Sequence, residues 1–395
     1  MSDNGGRTRR EILADAMKAA AAASIGGLVG CSDPGLFPGV GGKWSTCTMP
    51  DGGLVDAGAP PAVTPAVIEV NRPESVVGVT IQPDIVATML EAGLMALASQ
   101  VQAFNSGDTA PSGGGAADAG QNDQHGVIDN PWKVLLPNYQ AGQTIGLKVN
   151  CLGPTPTSPA VVRAVIASLR DNLGVNPTNN IIVWDRFRSD ITTFGKYSSD
   201  DLAGATIRGN LTRGLKTGES EASFVDGGYG DSPCQAPKSS KGNYPRLARL
   251  LTESTNLTIN LPVFKRHPDS GFTGAMKNIY GMFDIPGEYH DPTIRTALPE
   301  IYALPAIRNS ISLTIFDALL TVTNGANYNS PDSALGRILL AQDPVAMDSY
   351  GWDLLVQYRA SKPNWKVDDP TIPYAWLNHA QEIGLGTRSY NLVQV

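Results

Sequence analysis

The sequence predicts an α/β fold: a mostly parallel sheet flanked by helices, with glycine-rich loop insertions. Three observations lead there. Short apolar and β-branched runs alternate with helical ones, the order of a parallel sheet with crossover helices. Run after run ends on a polar residue. Glycine (42) and proline (29) are abundant among 395 residues, so much of the chain must turn or loop.

The elements follow in order. Ser75 to Ile81 (SVVGVTI) reads as a strand. Pro83 opens a helix to about Phe104, at a first-turn position where its missing N–H costs nothing. Residues 105–126 (NSGDTAPSGGGAADAGQNDQHG) are of low complexity and read as a mobile surface loop inserted in the body. Thr144 to Val149 is a strand. Ser158 is an N-cap and Pro159 a first-turn residue for a helix that ends at Leu173, before Gly174. Ile181 to Trp184 (IIVW) is a short buried strand. These three form a β-α-β unit, whose crossover should be right-handed. Arg186 to Pro237 is glycine-rich and irregular. Tyr244 to Thr252 reads as a helix, Leu257 to Phe264 as a strand, and Gly274 to Phe283 as a helix. Ser312 to Phe316 and Ile338 to Ala341 are strands, and a helix runs from about Pro344 to Val356.

The first 31 residues carry a targeting pattern. Thr8-Arg9-Arg10-Glu11-Ile12-Leu13 fits a twin-arginine signal. An alanine-rich run from Ala14 to Val29 is too polar and short for a stable span. Leu28-Val29-Gly30-Cys31 then fits a lipobox, with Cys31 as the lipidated residue. The expectation is export by the twin-arginine machinery to the periplasm or cell envelope, with membrane attachment only through the lipid on Cys31. Residues 32–66 read as a flexible Gly/Pro linker, and 67–395 as the folded body. No further apolar run of about 18 residues is apparent.

Composition excludes several classes. The formal net charge is −7 and no basic stripe interleaves with aromatics, so nucleic-acid binding is not expected. No CxxC occurs, which rules out a tetracysteine zinc or iron–sulfur site within the chain. Beyond Cys31, Cys47, Cys151 and Cys234 allow one disulfide, with three pairings open. No G-x-S-x-G elbow is present. Twin-arginine substrates often carry a cofactor, but none can be named from these residues.

In a parallel sheet, ligands bind beyond the carboxyl ends of the strands. Asn150, Asp185, Lys265 with His267, Asp317 and Asp343 each close a strand and could converge there. Asp343, before Pro344, reads equally as a helix cap. The densest cluster runs from Lys265 to Asn278 (KRHPDSGFTGAMKN). It places Lys265, Arg266 and Lys277 within thirteen residues of an acidic chain, with Thr273 and Gly274 at a helix start whose free N–H groups favour anions. The inference is a site for a small anionic ligand. His267 is the candidate acid–base group, and His290-Asp291 an orienting or second pair. A metal on His267 and His290 with Asp185 or Asp317 is an alternative arrangement.

LPVFKRHPDSGFTGAMKNIYGMF resembles the signature block of the DUF362 family, a domain of unknown function. ILLAQDPVAMDSYGWDLL resembles the family's closing D-P-V-A-x-D block. IGLKVNCLGPTPTSPAVVRAVIASLRDNLGVNPTNNIIVWD resembles its opening block. The resemblance implies an α/β fold. By position, Lys148, Asn150, Lys265, His267, Thr273, Lys277, Asn278, Asp343 and Asp348 match its motifs. Many members carry a ferredoxin-like module, which this chain lacks. Arg266 stands where a small residue is more usual, which bears on access to the pocket.

The reading that combines these features is an enzyme acting on a small anionic substrate. His267, Lys265 and Lys277 would be catalytic, and Lys148, Asn150, Thr273, Gly274, Asn278, Asp185 and Asp317 would bind substrate. The alternatives are a lipid-tethered protein that captures a ligand without turnover and a structural envelope protein.

Overall fold

A computed structural model describes residues 64–106, 128–211, 226–290, 292–366 and 368–395. The twin-arginine and lipobox residues, most of the linker, nearly all of the 105–126 insertion and Asp291 lie outside the described residues.

The N-terminal part of the body is built on β1 (Ala66–Asn71), β2 (Val76–Val77), β3 (Thr80–Ile81) and the long helix α1 (Pro83–Ser106). SVVGVTI is therefore not one strand. It folds back on itself, because Gly78 takes a φ of +64° between β2 and β3, a conformation few side chains tolerate. By length and composition α1 is apolar enough to cross a membrane, contrary to expectation. Its apolar face is accounted for within the protein: Val86, Met89, Leu90, Leu94 and Leu97 are buried against the sheet and its covering helices. Each such side chain contributes about 1.5–3 kcal/mol when fully removed from water.

A short helix, α2 (Pro131–Leu135), precedes the expected β-α-β unit. That unit is β4 (Ile145–Val149), α3 (Pro159–Leu173) and β5 (Ile181–Phe187). The Ser158 hydroxyl accepts from Ala160 N–H at 3.1 Å, and Gly174 ends the helix at φ +67°. The strands are parallel, Ile145 facing Ile181. The irregular region that follows holds a one-and-a-half-turn helix, α4 (Arg188–Thr193), and β6 (Thr206–Leu211), a strand the sequence pattern did not reveal.

β7 (Leu257–Leu261) and β8 (Val263–His267) divide the predicted Leu257–Phe264 strand at Pro262, which cannot donate to the ladder. β9 (Gly271–Thr273) pairs antiparallel with β8. Then come α5 (Ile294–Tyr302), β10 (Ile311–Val322), β11 (Ser333–Ala341), α6 (Pro344–Ala360), α7 (Thr371–Glu382) and β12 (Asn391–Gln394). The main sheet runs β12-β1-β11-β10-β7-β4-β5-β6, and β8 extends it from β10. The stretch β10-β7-β4-β5-β6 is parallel throughout, whereas β11 runs against both its neighbours.

Alternation along the strands gives two cores. Ile145, Leu147, Val149, Ile181, Val183 and Ile259 point to the face covered by α1 and α3. Trp184, Phe316, Leu339 and Ala341 point to the other, covered by α5, α6 and α7. Lys148 alternates with Leu147 and Val149 and so enters the second face.

Two predicted helices are absent. Tyr244–Thr252 is extended at Leu247, which bridges Phe283, and coils only into a short turn at Leu250–Ser254. Gly274–Phe283 shrinks to a 3₁₀ turn at Lys277–Gly281. Cys234 is disulfide-bonded, while Cys151 is a free, buried thiol, so the pairings that use Cys151 do not form.

Candidate functional site

A cavity of about 220 Å³ lies beyond the carboxyl ends of β4, β5 and β8. This is where the sheet order reverses, with β5 and β6 on one side of β4 and β7 on the other. Such a switch point opens a crevice that no crossover covers. Lys148, Asn150, Asp185, Lys265, His267, Thr273, Lys277 and Asn278 all line it. Two predicted site residues do not.

Asp317 lies within β10, fully buried, and its carboxylate accepts from Ser158 N–H at 2.6 Å and Leu319 N–H at 3.0 Å. It anchors the start of α3. Burial pushes its pKa up to about 6, against the pull of those two donors. Gly274 is also displaced. A side chain there would collide with Asp348, whose carboxylate accepts from Ala275 N–H at 2.6 Å and Met276 N–H at 2.9 Å. The expected anion site at a helix start is therefore corrected. Its backbone donors are already satisfied by an internal carboxylate, and no helix of useful length begins there. Asp343 is a cap: it accepts from Val345 and Ala346 N–H, both at 2.8 Å, and from Thr387 N–H at 3.0 Å.

Arg266 does not govern access either. On β8 it points opposite to Lys265 and His267, into a bidentate pair with Asp368 at 2.6 and 2.8 Å. Two of the three predicted cations of the loop, Lys265 and Lys277, face the cavity, and Lys148 and Arg186 join them.

The three lysines are held differently. Lys148 Nζ donates to Val149 O at 2.6 Å and pairs with Asp185 Oδ1 at 2.8 Å. Gly281 leaves room for this pair, because a Cβ there would lie 2.6 Å from both Asp185 Oδ1 and Lys148 Nζ. Lys265 Nζ donates to Leu152 O at 2.8 Å and Asn150 Oδ1 at 3.3 Å. An ammonium has three donors, so one remains for a ligand. Burial brings its pKa down to about 8, with the charges of Asp185 and Asp317 among those opposing. Lys277 Nζ lies 3.2 Å from His290 Nε2 and 3.2 Å from the centre of the Tyr280 ring. Burial depresses its pKa strongly, opposed by Asp269.

The polar neighbours are fixed. Thr273 Oγ1 reaches the carbonyls of Val263 and Lys265, both at 3.1 Å, and pins the β8–β9 hairpin. Asn278 Nδ2 donates to Asn260 Oδ1 at 2.8 Å and Lys148 O at 3.2 Å, tying the 3₁₀ turn to β7 and β4. His267 Nδ1 accepts from Asp269 N–H at 3.0 Å. Burial first, and then the proximity of Lys277 and His290, bring its pKa down to about 2, so the ring is neutral. A neutral imidazole that accepts at Nδ1 carries its proton at Nε2.

His267, Asp269 and His290 place three donor atoms within 4.8 Å of one another. The carboxylate in this cluster is Asp269, not Asp185 or Asp317 as the sequence pattern allowed. In composition the set resembles two-histidine, one-carboxylate metal sites. Its hydrogen bonding does not fit one. A ligating histidine donates its second N–H outward, whereas His267 accepts there and has no lone pair left to offer. Tyr280, Arg186, Asp190 and Asn327 also line the cavity and were not singled out in the sequence. Tyr280 sits inside the KNIYG block, a signal that could have found it.

A doubly wound α/β protein with a lysine- and histidine-lined cavity at the switch point is the class that fold and site define. Residues 145–353, more than half the chain, match a family described as a domain of unknown function, DUF362. The chain belongs to the DUF362 family. No curated protein matches it. Among solved structures it is similar to the lactate racemase apoprotein from Thermoanaerobacterium thermosaccharolyticum, with 9% identity and a TM-score of 0.35 over 55% of this chain and 50% of that one. A protein from Thermotoga maritima is similar at 12% identity and a TM-score of 0.35, over 56% of each chain. The chain thus spans about half the length of these structures.

Proposed function

We propose that this protein is an exported enzyme that binds a small anionic substrate in the β4/β5/β8 cavity and moves a proton on it. The observation that carries the reading is the placement of Lys265, Lys277, His267 and His290 around one volume of about 220 Å³. Lys265 offers an ammonium donor to the anion. His267 presents a neutral Nε2–H to a developing negative oxygen. Lys277 and His290 form the proton-accepting pair. A cavity this size suits a molecule of a few carbon atoms.

The test is ligand binding by the mature body, followed by thermal shift with oxalate, phosphate and sulfate as probes. At pH 7 at least one anion should raise Tm, and Lys265→Met should abolish the rise. Because the Lys265 ammonium is lost as pH climbs through about 8, the affinity should fall between pH 7 and 9 in the wild type. Equal binding by wild type, His267→Ala and Lys277→Ala would remove the basis for the enzyme reading. A tightly bound metal in elemental analysis would instead restore the histidine–carboxylate cluster as its site.

Export is part of the same proposal. It rests on Thr8 to Leu13 and on the lipobox ending at Cys31, and the disulfide-bonded state of Cys234 is in keeping with an oxidising compartment. Replacing Arg9 and Arg10 together by lysine should hold the precursor in the cytoplasm. Cys31→Ser should release the protein from the membrane fraction. Export of the double-lysine variant at the wild-type level would exclude the twin-arginine route.

A further inference from the structure

Among the three cavity lysines, one has no fixed acceptor that demands its charge. Lys148 is bound by a carboxylate and a carbonyl, and Lys265 by a carbonyl and an amide oxygen. Lys277 instead meets an imidazole nitrogen and a ring face. Among the described residues, Asp269 is the one carboxylate whose charge acts on it.

The imidazole is oriented. His290 turns Nε2 toward Lys277 at 3.2 Å. In the tautomer protonated at Nδ1, Nε2 carries the lone pair and accepts an N–H from Lys277. Burial of the Lys277 side chain favours its uncharged amine, whose lone pair is left for carbon. Burial and the nearby Lys277 hold His290 itself below its ordinary value, so it accepts a proton only transiently.

We propose that Lys277 is an imine-forming nucleophile and that the substrate class is small carboxylates bearing an aldehyde or ketone, with Lys265 holding the carboxylate. This deepens the anion-site reading and rests on it. The balance closes without a further reactant. The Lys277 Nζ lone pair attacks the carbonyl carbon, a C–N bond forms, and the C=O π pair moves to oxygen. That oxygen takes its proton from Lys277 Nζ by way of His290 Nε2, with His267 Nε2–H as a hydrogen-bond donor beside it. The carbinolamine then loses its hydroxyl as water, using the second Nζ proton returned through His290. Amine and carbonyl have become imine and water. A lysine is suited to this when desolvated and uncharged, as in other lysine nucleophiles placed in apolar pockets.

The experiment is reductive trapping of the mature protein with glyoxylate or pyruvate and sodium cyanoborohydride at pH 7. At this pH, solvent-exposed lysines are protonated and react slowly. One adduct per chain is expected by intact mass, mapping to Lys277 in the peptide digest. Lys277→Arg should give no adduct while its circular dichroism spectrum matches that of the wild type. His290→Ala should slow trapping by about 10²-fold, the usual loss when a positioned proton-transfer group is removed. Adducts spread over surface lysines, or none at Lys277 while oxalate binds, would overturn the imine proposal and leave the anion site standing. Loss of oxalate binding by the wild type as well would overturn both.

Discussion

Asp185→Ala should destabilise the protein by about 3–5 kcal/mol, because it leaves the buried Lys148 ammonium without its counter-charge. The Lys148 side chain is 1% exposed and cannot swing into water. The same carboxylate accepts from Cys151 N–H and Arg186 N–H, both at 2.7 Å. Each of those donors would lose a partner, at about 1–3 kcal/mol if it stays buried. The pair also shapes the cavity wall, so ligand binding should weaken in parallel. Urea denaturation at pH 7 measures the loss. The double variant Lys148→Met/Asp185→Asn should recover part of it, since removing both charges removes the uncompensated one. A loss below about 1 kcal/mol for Asp185→Ala would mean that Lys148 finds water or another acceptor, contrary to its burial.

Asp348→Ala should cost about 2–4 kcal/mol, by orphaning the Ala275 and Met276 N–H groups in the core. The residue sits on α6 and is fully buried. Its carboxylate holds the segment between β9 and Lys277, so the position of Lys277 depends on it. Burial, and more weakly Asp343, raise its pKa to about 7 despite the two donors. The sign follows. A carboxyl whose folded pKa lies above its unfolded value of about 4 stabilises the fold below pH 4 and loses that contribution as pH rises through about 7. Stability measured by Tm against pH should therefore fall across this window in the wild type, relative to Asp348→Asn. Asn cannot titrate, and it offers one acceptor where two are needed, so it should be less stable at every pH. Parallel curves for the two proteins would show that Asp348 does not titrate in this range.

How much of this was legible depends on how far apart the interacting residues lie. The β4-α3-β5 unit was, because Ser158, Pro159 and Gly174 act on backbone within a few residues of themselves. The cap at Asp343 was legible for the same reason. β1 was not: AVIEVN carries a glutamate, Glu69, that is 1% exposed and paired with Arg337 at 3.1 Å, and nothing local announces that partner. The predicted helix at Gly274 failed on a contact with Asp348, more than seventy residues later. The KRH…KN block pointed to the right loop, yet Arg266 looked equivalent to Lys265 until the pleat of β8 sent them to opposite sides.

Local chemistry along the chain was enough to specify the α/β class, the β-α-β unit, the membership in a family and the loop that carries the lysines and histidines. Periodicity, capping and turn chemistry act over a few residues and are written locally. The tertiary structure decided which polar strand ends share a cavity, and that Asp317 and Gly274 lie outside it. It also decided that Asp348 fills the backbone donors an anion would have used, and that Lys277 faces His290 rather than a carboxylate. These are properties of buried charges. Their state is set by the partner that desolvation forces upon them, and only the folded chain supplies that partner.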